Sequence, residues 1–103
     1  MLPLDFHPLV EADLADSAEW YGCQQPGLDE RFLAEVRECF VALPTSASLY
    51  AVRFAGIRRV NLPIFKHGVF YFATDEAVVV LAVLHGSRDS EAILAKRRRA
   101  FSH

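Results

Sequence analysis

The residues best suited to chemistry are arginines in the second half of the chain. Arg58 and Arg59 are adjacent within an apolar segment, and Arg88 follows the longest apolar stretch. A guanidinium keeps its charge, so each must reach a carboxylate, a carbonyl or solvent. Arg88 also precedes the last helical pattern, a place where open sheets often carry functional groups. An ion pair with Asp89 or Glu91 explains Arg88 equally well.

A second basic feature is the run Lys96-Arg97-Arg98-Arg99. The simpler interpretation is a solvated last turn of a helix, where each cation complements the helix dipole by about 0.3–1 kcal/mol. The sharper interpretation is a contact surface for phosphate or for an acidic protein segment. Both stay open at the level of sequence.

Several catalytic and metal-binding motifs are absent. The chain has no phosphate-cradling glycine loop, no HExxH, no nucleophile elbow and no paired-cysteine motif. Its two cysteines and four histidines lack ligand spacing, so we expect no metal and no cofactor; they are Cys23, Cys39, His7, His67, His85 and His103. Trp20-Tyr21, at helical spacing before a turn, predict core aromatics rather than a stacking platform for bases.

The first half of the chain has a helical period. A short strand over residues 2–6 precedes a helix that starts at His7-Pro8 and is broken by Pro26-Gly27. A second helix carries an apolar stripe at residues 28, 32, 36, 40 and 43 and should be closed by Pro44 and the small polar run Thr45-Ser46. The short turn between the two helices predicts an antiparallel helical hairpin.

After residue 48 the period changes to two, which predicts strands. They should cover residues 50–54, 57–65, 69–73 and 77–84, with turns at Gly56, residues 66–68 and residues 75–76. The last strand is apolar on both faces, as a doubly covered strand should be. Asp89 or Ser90 can cap a final helix from Glu91 to about Phe101. The predicted order is β-α-α-β-β-β-β-α in a single domain, residues 1–103, or one strand fewer if residues 50–54 form a loop.

The net charge of −2 conceals an asymmetry. Residues 1–52 hold nine acidic and two basic residues, whereas residues 53–103 hold nine basic and four acidic ones. The basic half suits an acidic partner. A sequence pI near 6.0 is poorly suited to direct binding of nucleic acid. Residues 77–84 are too few to span a bilayer and no secretory signal is evident, so we expect a cytoplasmic protein without membrane contact.

Three segments together resemble the RelE/ParE superfamily of toxins from bacterial type II toxin–antitoxin pairs, over nearly the whole chain. They are Trp20-Tyr21 with Gln25-Pro26-Gly27-Leu28 and Phe32, then Arg58-Arg59-Val60 with Phe65-Lys66-His67 and Val69-Phe70-Tyr71, then residues 82–89. The resemblance implies an α+β fold. In it an N-terminal strand and a helical hairpin pack on a mostly antiparallel sheet of four to five strands, followed by a C-terminal helix.

The superfamily implies two activities. RelE-like members cleave messenger RNA on the ribosome, and ParE-like members block DNA gyrase. RelE-like proteins often carry an Arg where this chain has Gly68 and a Tyr where it has Ile93. The resemblance therefore favours a ParE-like toxin that acts by binding. The alternatives are a ribosome-dependent endoribonuclease, with Arg88, His85 and Arg59 as candidate catalytic residues, and a non-toxic interaction module on the same fold.

The resemblance also implies a cognate antitoxin. We expect it to cover a basic surface that the target, gyrase or the ribosome, would also contact, with nucleic acid reached only indirectly or through the ribosome. The candidate binding residues are Arg58, Arg59, Arg88, Lys96, Arg97, Arg98 and Arg99.

Overall fold

The computed structural model describes residues 2–86 and 89–101. The first half contains β1 (Leu4–Phe6), α1 (Val10–Gln24) and α2 (Leu28–Ser46), followed by a 3-10 turn (Ala47–Leu49). The second half contains β2 (Val52–Phe54), β3 (Ile57–Asn61), β4 (His67–Ala73), β5 (Val78–His85) and α3 (Glu91–Arg99). The predicted order of elements is confirmed, including the strand at residues 52–54.

The five strands form one sheet in the order β1-β5-β4-β3-β2. β1 pairs in parallel with β5, and the other neighbours pair antiparallel. The sheet is therefore mixed and mostly antiparallel, which confirms the predicted α+β class. β5 lies between β1 and β4 and is covered on both faces, as its continuous apolar sequence predicted.

Each face of the sheet has its own hydrophobic core. The face covered by α1 and α2, the hairpin face, buries residues such as Phe32, Val69 and Tyr71. The opposite face, the α3 face, buries residues such as Phe70, Leu81 and Leu94. Alternation of side chains along β4 distributes neighbouring residues between the two cores.

α2 contains Pro44 and ends at Ser46, within the segment Pro44-Thr45-Ser46 that was predicted to close it. The predicted bounds of two strands were wrong. β3 ends at Asn61 instead of residue 65, because the Glu35 carboxylate accepts the backbone N–H of Ile64 at 2.9 Å. β4 begins at His67 instead of residue 69, because His67 pairs with His85 across the sheet.

The two adjacent aromatics of α1 have different environments. Tyr21 is 8% exposed and packs against Phe32 and Phe65, as predicted. Trp20 is 57% exposed, so its prediction as a core residue was wrong. One residue of a helix advances the side chain by about 100°, and the core-facing side of α1 passes through Tyr21.

Candidate target-binding site

Arg58 and Arg59 lie on opposite faces of β3. Arg58 points to the hairpin side, where its Nη1 donates to the Tyr50 carbonyl and, at 3.3 Å, to the Ser48 carbonyl. These bonds attach the segment after α2 to the sheet. The guanidinium of Arg58 is thus engaged within the protein, and the structure does not bring it together with Arg59.

Arg59 is on the α3 face and is held in an extended path. Its Nε donates to Asn61 Oδ1 at 2.6 Å, and its guanidinium lies over the Phe70 ring at 5.1 Å from the centroid. Desolvation, followed by the charge of Arg53, lowers the pKa of Arg59. These contacts fix a half-buried cation at the surface of the sheet.

The path of Arg59 requires a glycine at position 68. A Cβ on Gly68 would lie 2.4 Å from Arg59 Nε and 2.8 Å from its Cζ, which no real contact allows. The guanidinium then reaches Gly86, where a Cβ would be 3.2 Å from Arg59 Nη2. Glycine at position 68 therefore has a structural role of its own, because any larger side chain there would displace Arg59.

A shallow cavity of roughly 260 Å³ opens beside Arg59 on the α3 face. We call it the α3 groove, and its lining residues are Arg53, Phe54, Arg59, Phe70, Ser90 and Glu91. It combines two cations and one acidic residue, Glu91, with two aromatic rings, so its net charge is positive. Such a surface suits the carboxylates and apolar side chains of a protein partner.

The four cations of α3 do not form one surface. Lys96 and Arg99 are exposed, whereas Arg98 places its guanidinium 3.9 Å from the centroid of Phe72. Arg97 turns inward and forms an ion pair with Asp13 of α1, with N–O distances of 2.6 and 3.0 Å. The solvated-turn interpretation therefore holds for Lys96 and Arg99 alone.

The ion pair of Arg97 and Asp13 also completes the edge of β5. β1 pairs with β5 only as far as Val80. Beyond that point, Arg97 Nη1 donates to the Leu81 carbonyl at 3.0 Å, and the Val83 N–H donates to Asp13 Oδ2 at 3.1 Å. Side chains thus replace the missing strand, which satisfies backbone groups that burial would otherwise leave unpaired. No sequence signal identified this pair, since its members are 84 positions apart.

Arg88 and His103 lie outside the described residues, and the predicted ion pair of Arg88 with Asp89 or Glu91 lies outside them as well. Near the start of α3, the Glu91 N–H donates to Asp89 Oδ1 at 3.4 Å, while Ser90 makes no side-chain cap bond. Of the two candidate caps, Asp89 is the one whose side chain contacts the helix start.

His67 forms a buried polar network that the sequence analysis did not identify. Its Nδ1 lies 3.1 Å from the Tyr21 hydroxyl and its Nε2 lies 3.1 Å from Ser17 Oγ. Desolvation and then the charge of His85 lower the pKa of His67 to about 4, so the ring is neutral at pH 7. Desolvation raises the pKa of Tyr21, and a hydrogen bond from the Lys66 backbone opposes that rise.

Both ring nitrogens of His67 are thus paired with hydroxyl groups, and each hydroxyl is able to donate or accept. In the neutral imidazole one nitrogen donates and the other accepts, so the tautomer sets which hydroxyl receives the ring proton. The contacts with Ser17 and Tyr21 hold the ring of His67 against α1.

His85, the remaining nuclease candidate, faces α1. Its ring centroid is 5.2 Å from that of His67, and both rings line a cavity of roughly 280 Å³ with Asp16, Ser17 and Trp20. We call this cavity the Trp20 pocket. Arg59 lies on the opposite face of the sheet, so the structure does not assemble His85 and Arg59 into one site.

The described residues contain no group of three or more His, Cys, Asp or Glu placed to hold a metal ion. Cys23 is exposed and Cys39 is half-buried, where desolvation raises the pKa of its thiol to about 11. Within the same part of the chain, no helix combines the length and apolar character needed to cross a bilayer.

Comparisons with known proteins identify a family by sequence and a related fold by structure. Residues 4–90 match the model of the "ParE toxin of type II toxin-antitoxin system, parDE". Over 94 residues the chain is 31% identical to Toxin ParE2 of Mycobacterium tuberculosis, with the same values in strains CDC 1551 / Oshkosh and H37Rv, covering 90% of this chain and 90% of that protein. A solved structure described as "Chromosomal ParDE TA system from P. aeruginosa" matches with a TM-score of 0.74 at 17% identity, covering 82% of this chain and 96% of that one. At that identity the structural likeness concerns the fold alone.

Proposed function

The chain belongs to the ParE toxin family of type II toxin–antitoxin systems, and from that premise we propose that it inhibits growth by binding DNA gyrase. A cognate antitoxin neutralises it, and both act in the cytoplasm. The family match over residues 4–90 carries the proposal, because ParE-like members of the superfamily act by binding and need no nuclease site.

The geometry at the two positions that separate the branches supports binding. Gly68 cannot accept a side chain without displacing Arg59. Ile93 is half-buried and packs against the core of the α3 face, and its aliphatic side chain has no proton to transfer. A general acid or base must come within hydrogen-bond distance of the reacting atoms.

The α3 face offers the surface for the target. Arg59 is held by Asn61 and Phe70 beside the α3 groove, so little side-chain entropy is lost when it binds. Lys96 and Arg99 are exposed on α3 and extend the positive charge. Arg58 and Arg97 are excluded from this surface because their guanidinium groups are bonded within the protein.

The proposal is tested with purified toxin freed of antitoxin. Increasing toxin should progressively suppress ATP-dependent supercoiling of relaxed plasmid by gyrase. At the same concentrations, a translation reaction should proceed normally with intact message. Full supercoiling at a large excess of folded toxin contradicts the proposal.

A pair of charge-matched variants locates the surface. Arg59→Gln should weaken inhibition of gyrase about tenfold or more, as expected for an interfacial arginine in a hot spot. Arg37→Gln removes the same charge from the exposed surface of α2 and should leave inhibition unchanged. Circular dichroism confirms that both variants are folded. Equal effects of the two substitutions would place the binding surface elsewhere.

The same reactions separate the alternatives. Cleavage of ribosome-bound message with normal supercoiling identifies an endoribonuclease, and its loss in Arg88→Ala would assign that residue. Induced expression without any effect on growth identifies a non-toxic interaction module.

The antitoxin is tested through the neighbouring gene. Co-expression of the adjacent small open reading frame should yield a stable complex in which Arg59 is protected. We expect an acidic segment of the antitoxin in the α3 groove, where its carboxylates meet Arg53 and Arg59. Absence of a complex contradicts a cognate pair at that locus.

A further inference from the structure

α1 carries negative charge and no positive charge. Its 15 residues include Glu11, Asp13, Asp16 and Glu19 but no Lys or Arg. Asp13 is neutralised by Arg97, and within residues 2–86 and 89–101 this is the one ion pair. Asp16 and Glu19 are exposed, so their carboxylates are available to a cation from outside.

Trp20 stands beside Asp16 on this acidic helix. The two are four positions apart, so their side chains lie on the same side of α1, and both line the Trp20 pocket. The indole packs edge-on against Tyr21 at 5.1 Å between centroids. Its orientation is therefore supported by a buried residue while more than half of its surface remains exposed.

The remaining walls of the Trp20 pocket suit a cationic guest. His67 is neutral at pH 7, and its two ring nitrogens pair with the hydroxyl groups of Tyr21 and Ser17. No Lys or Arg is among the described residues that line the pocket. Its volume of roughly 280 Å³ leaves room for one long side chain.

We infer that the Trp20 pocket docks an arginine side chain from a basic segment of a partner protein. The guanidinium stacks on the indole of Trp20 and forms a charge-assisted pair with the Asp16 carboxylate. Arginine suits both contacts, because its planar group stacks on aromatic faces and bonds carboxylates in a bidentate manner. Nucleic acid is a poor occupant, since α1 would repel its phosphates.

This surface is separate from the one that the proposed function uses. The α3 groove lies on the opposite face of the sheet and has the opposite sign of charge. The protein can therefore hold an acidic segment on one face and a basic segment on the other at the same time. Failure of the gyrase assay leaves this inference intact, because its test does not involve gyrase.

Trp20 is the sole tryptophan of the chain, so its fluorescence reports on the pocket directly. The probe is a short peptide amide with three arginines separated by glycines. It is titrated at 0.15 M salt, where charges more than about 8 Å apart are largely screened from one another. We expect a saturable change in fluorescence. The matching lysine peptide should bind several-fold more weakly, and the glutamate peptide should not bind.

Two substitutions on the same helix provide the matched control. Asp16→Asn should weaken binding of the arginine peptide about tenfold, while Glu19→Gln, which removes an equal charge outside the pocket, should change it by about twofold or less. Trp20→Leu, followed by calorimetry, should abolish the preference for arginine over lysine. Both acidic positions are exposed, so the variants should fold, and circular dichroism confirms it.

Three results would overturn the inference. Equal losses in Asp16→Asn and Glu19→Gln would reduce the binding to general charge attraction. Equal affinity for the arginine and lysine peptides would remove the role of the indole. Trp20 fluorescence could also change with toxin concentration in the absence of peptide. If Arg99→Met removes that concentration dependence, the occupant of the pocket is a second copy of this chain.

Discussion

The two faces of the sheet are covered to very different depths. On the hairpin face, α1 and α2 contribute 15 and 19 residues, and Phe32, Val36 and Leu43 of α2 are almost fully buried. On the other face, α3 has nine residues, and only Leu94 among them is buried. Burial of one leucine contributes about 1.5–3 kcal/mol, which is small compared with the core of the hairpin. The hairpin therefore forms the larger part of the core, while α3 is held by Leu94, the half-buried Ile93 and the contacts of Arg97.

This difference assigns separate tasks to the basic residues. Arg97 attaches α3 to α1 and to the edge of β5, whereas Lys96 and Arg99 point to solvent. Arg58 secures the segment after α2, whereas Arg59 stays at the surface. On both α3 and β3, neighbouring residues of identical charge differ in role because the helix or strand points their side chains in different directions.

The largest expected effect comes from breaking the attachment of α3. Arg97→Met leaves the largely buried carboxyl group of Asp13 without its partner and removes the donor to the Leu81 carbonyl, so we expect a loss of about 3 kcal/mol in the free energy of unfolding. Urea denaturation followed by circular dichroism measures it. Arg99→Met, the matched control on the same turn, should change stability by about 0.5 kcal/mol or less. Similar values for the two variants would mean that the ion pair does not hold α3.

The next largest effect is a pH dependence of the free energy of unfolding that arises from His67 on the hairpin face. His67 has its pKa lowered from 6.5 to about 4 by burial, so the unfolded chain binds a proton in this range and the folded one does not. Stability from His67 is complete above pH 6.5 and is lost as the pH falls toward about 4, by up to ~3 kcal/mol. His7, whose pKa is lowered by desolvation and then by Arg97, adds a loss in the same direction.

The contribution of His67 is isolated by comparison with His67→Gln. Thermal unfolding of both proteins between pH 8 and pH 4 should show a steeper loss in the parent, while His7 acts equally in both. Parallel curves would show that the His67 network does not exclude the proton.

The smallest effect on stability tests the packing of Arg59. Gly68→Ala places a methyl group where the Arg59 side chain passes, so Arg59 must leave Asn61 and Phe70. We expect a loss of about 1 kcal/mol, typical of a stacked cation and one exposed hydrogen bond. Gyrase inhibition should fall nearly as far as in Arg59→Gln. Unchanged inhibition with unchanged melting would show that Arg59 is not held in this path.

The sequence predicted most of the helices and strands, but it did not predict where several of them begin and end. Helical periods located α1 and α2, and continuous apolar runs located β4 and β5, because a strand that is buried on both faces is apolar throughout. The end of α2 at Ser46 falls within the segment predicted to close it, because proline and small polar residues favour helix ends. The end of β3 depends on Glu35, whose carboxylate binds a backbone 29 residues away. Trp20 was misjudged because apolar character alone does not say which side of a helix is covered.

By itself, the sequence determined the order of elements, the double burial of β5, the unequal charges of the two halves and the resemblance to a toxin superfamily. Those properties are local or additive, and each can be counted along the chain. Only the tertiary structure decided which charges are used inside. It joined Asp13 to Arg97, placed His67 between Ser17 and Tyr21, and laid Arg59 across Gly68. These pairings depend on the order and register of the strands, which bring distant residues within bonding distance and leave no trace in local spacing.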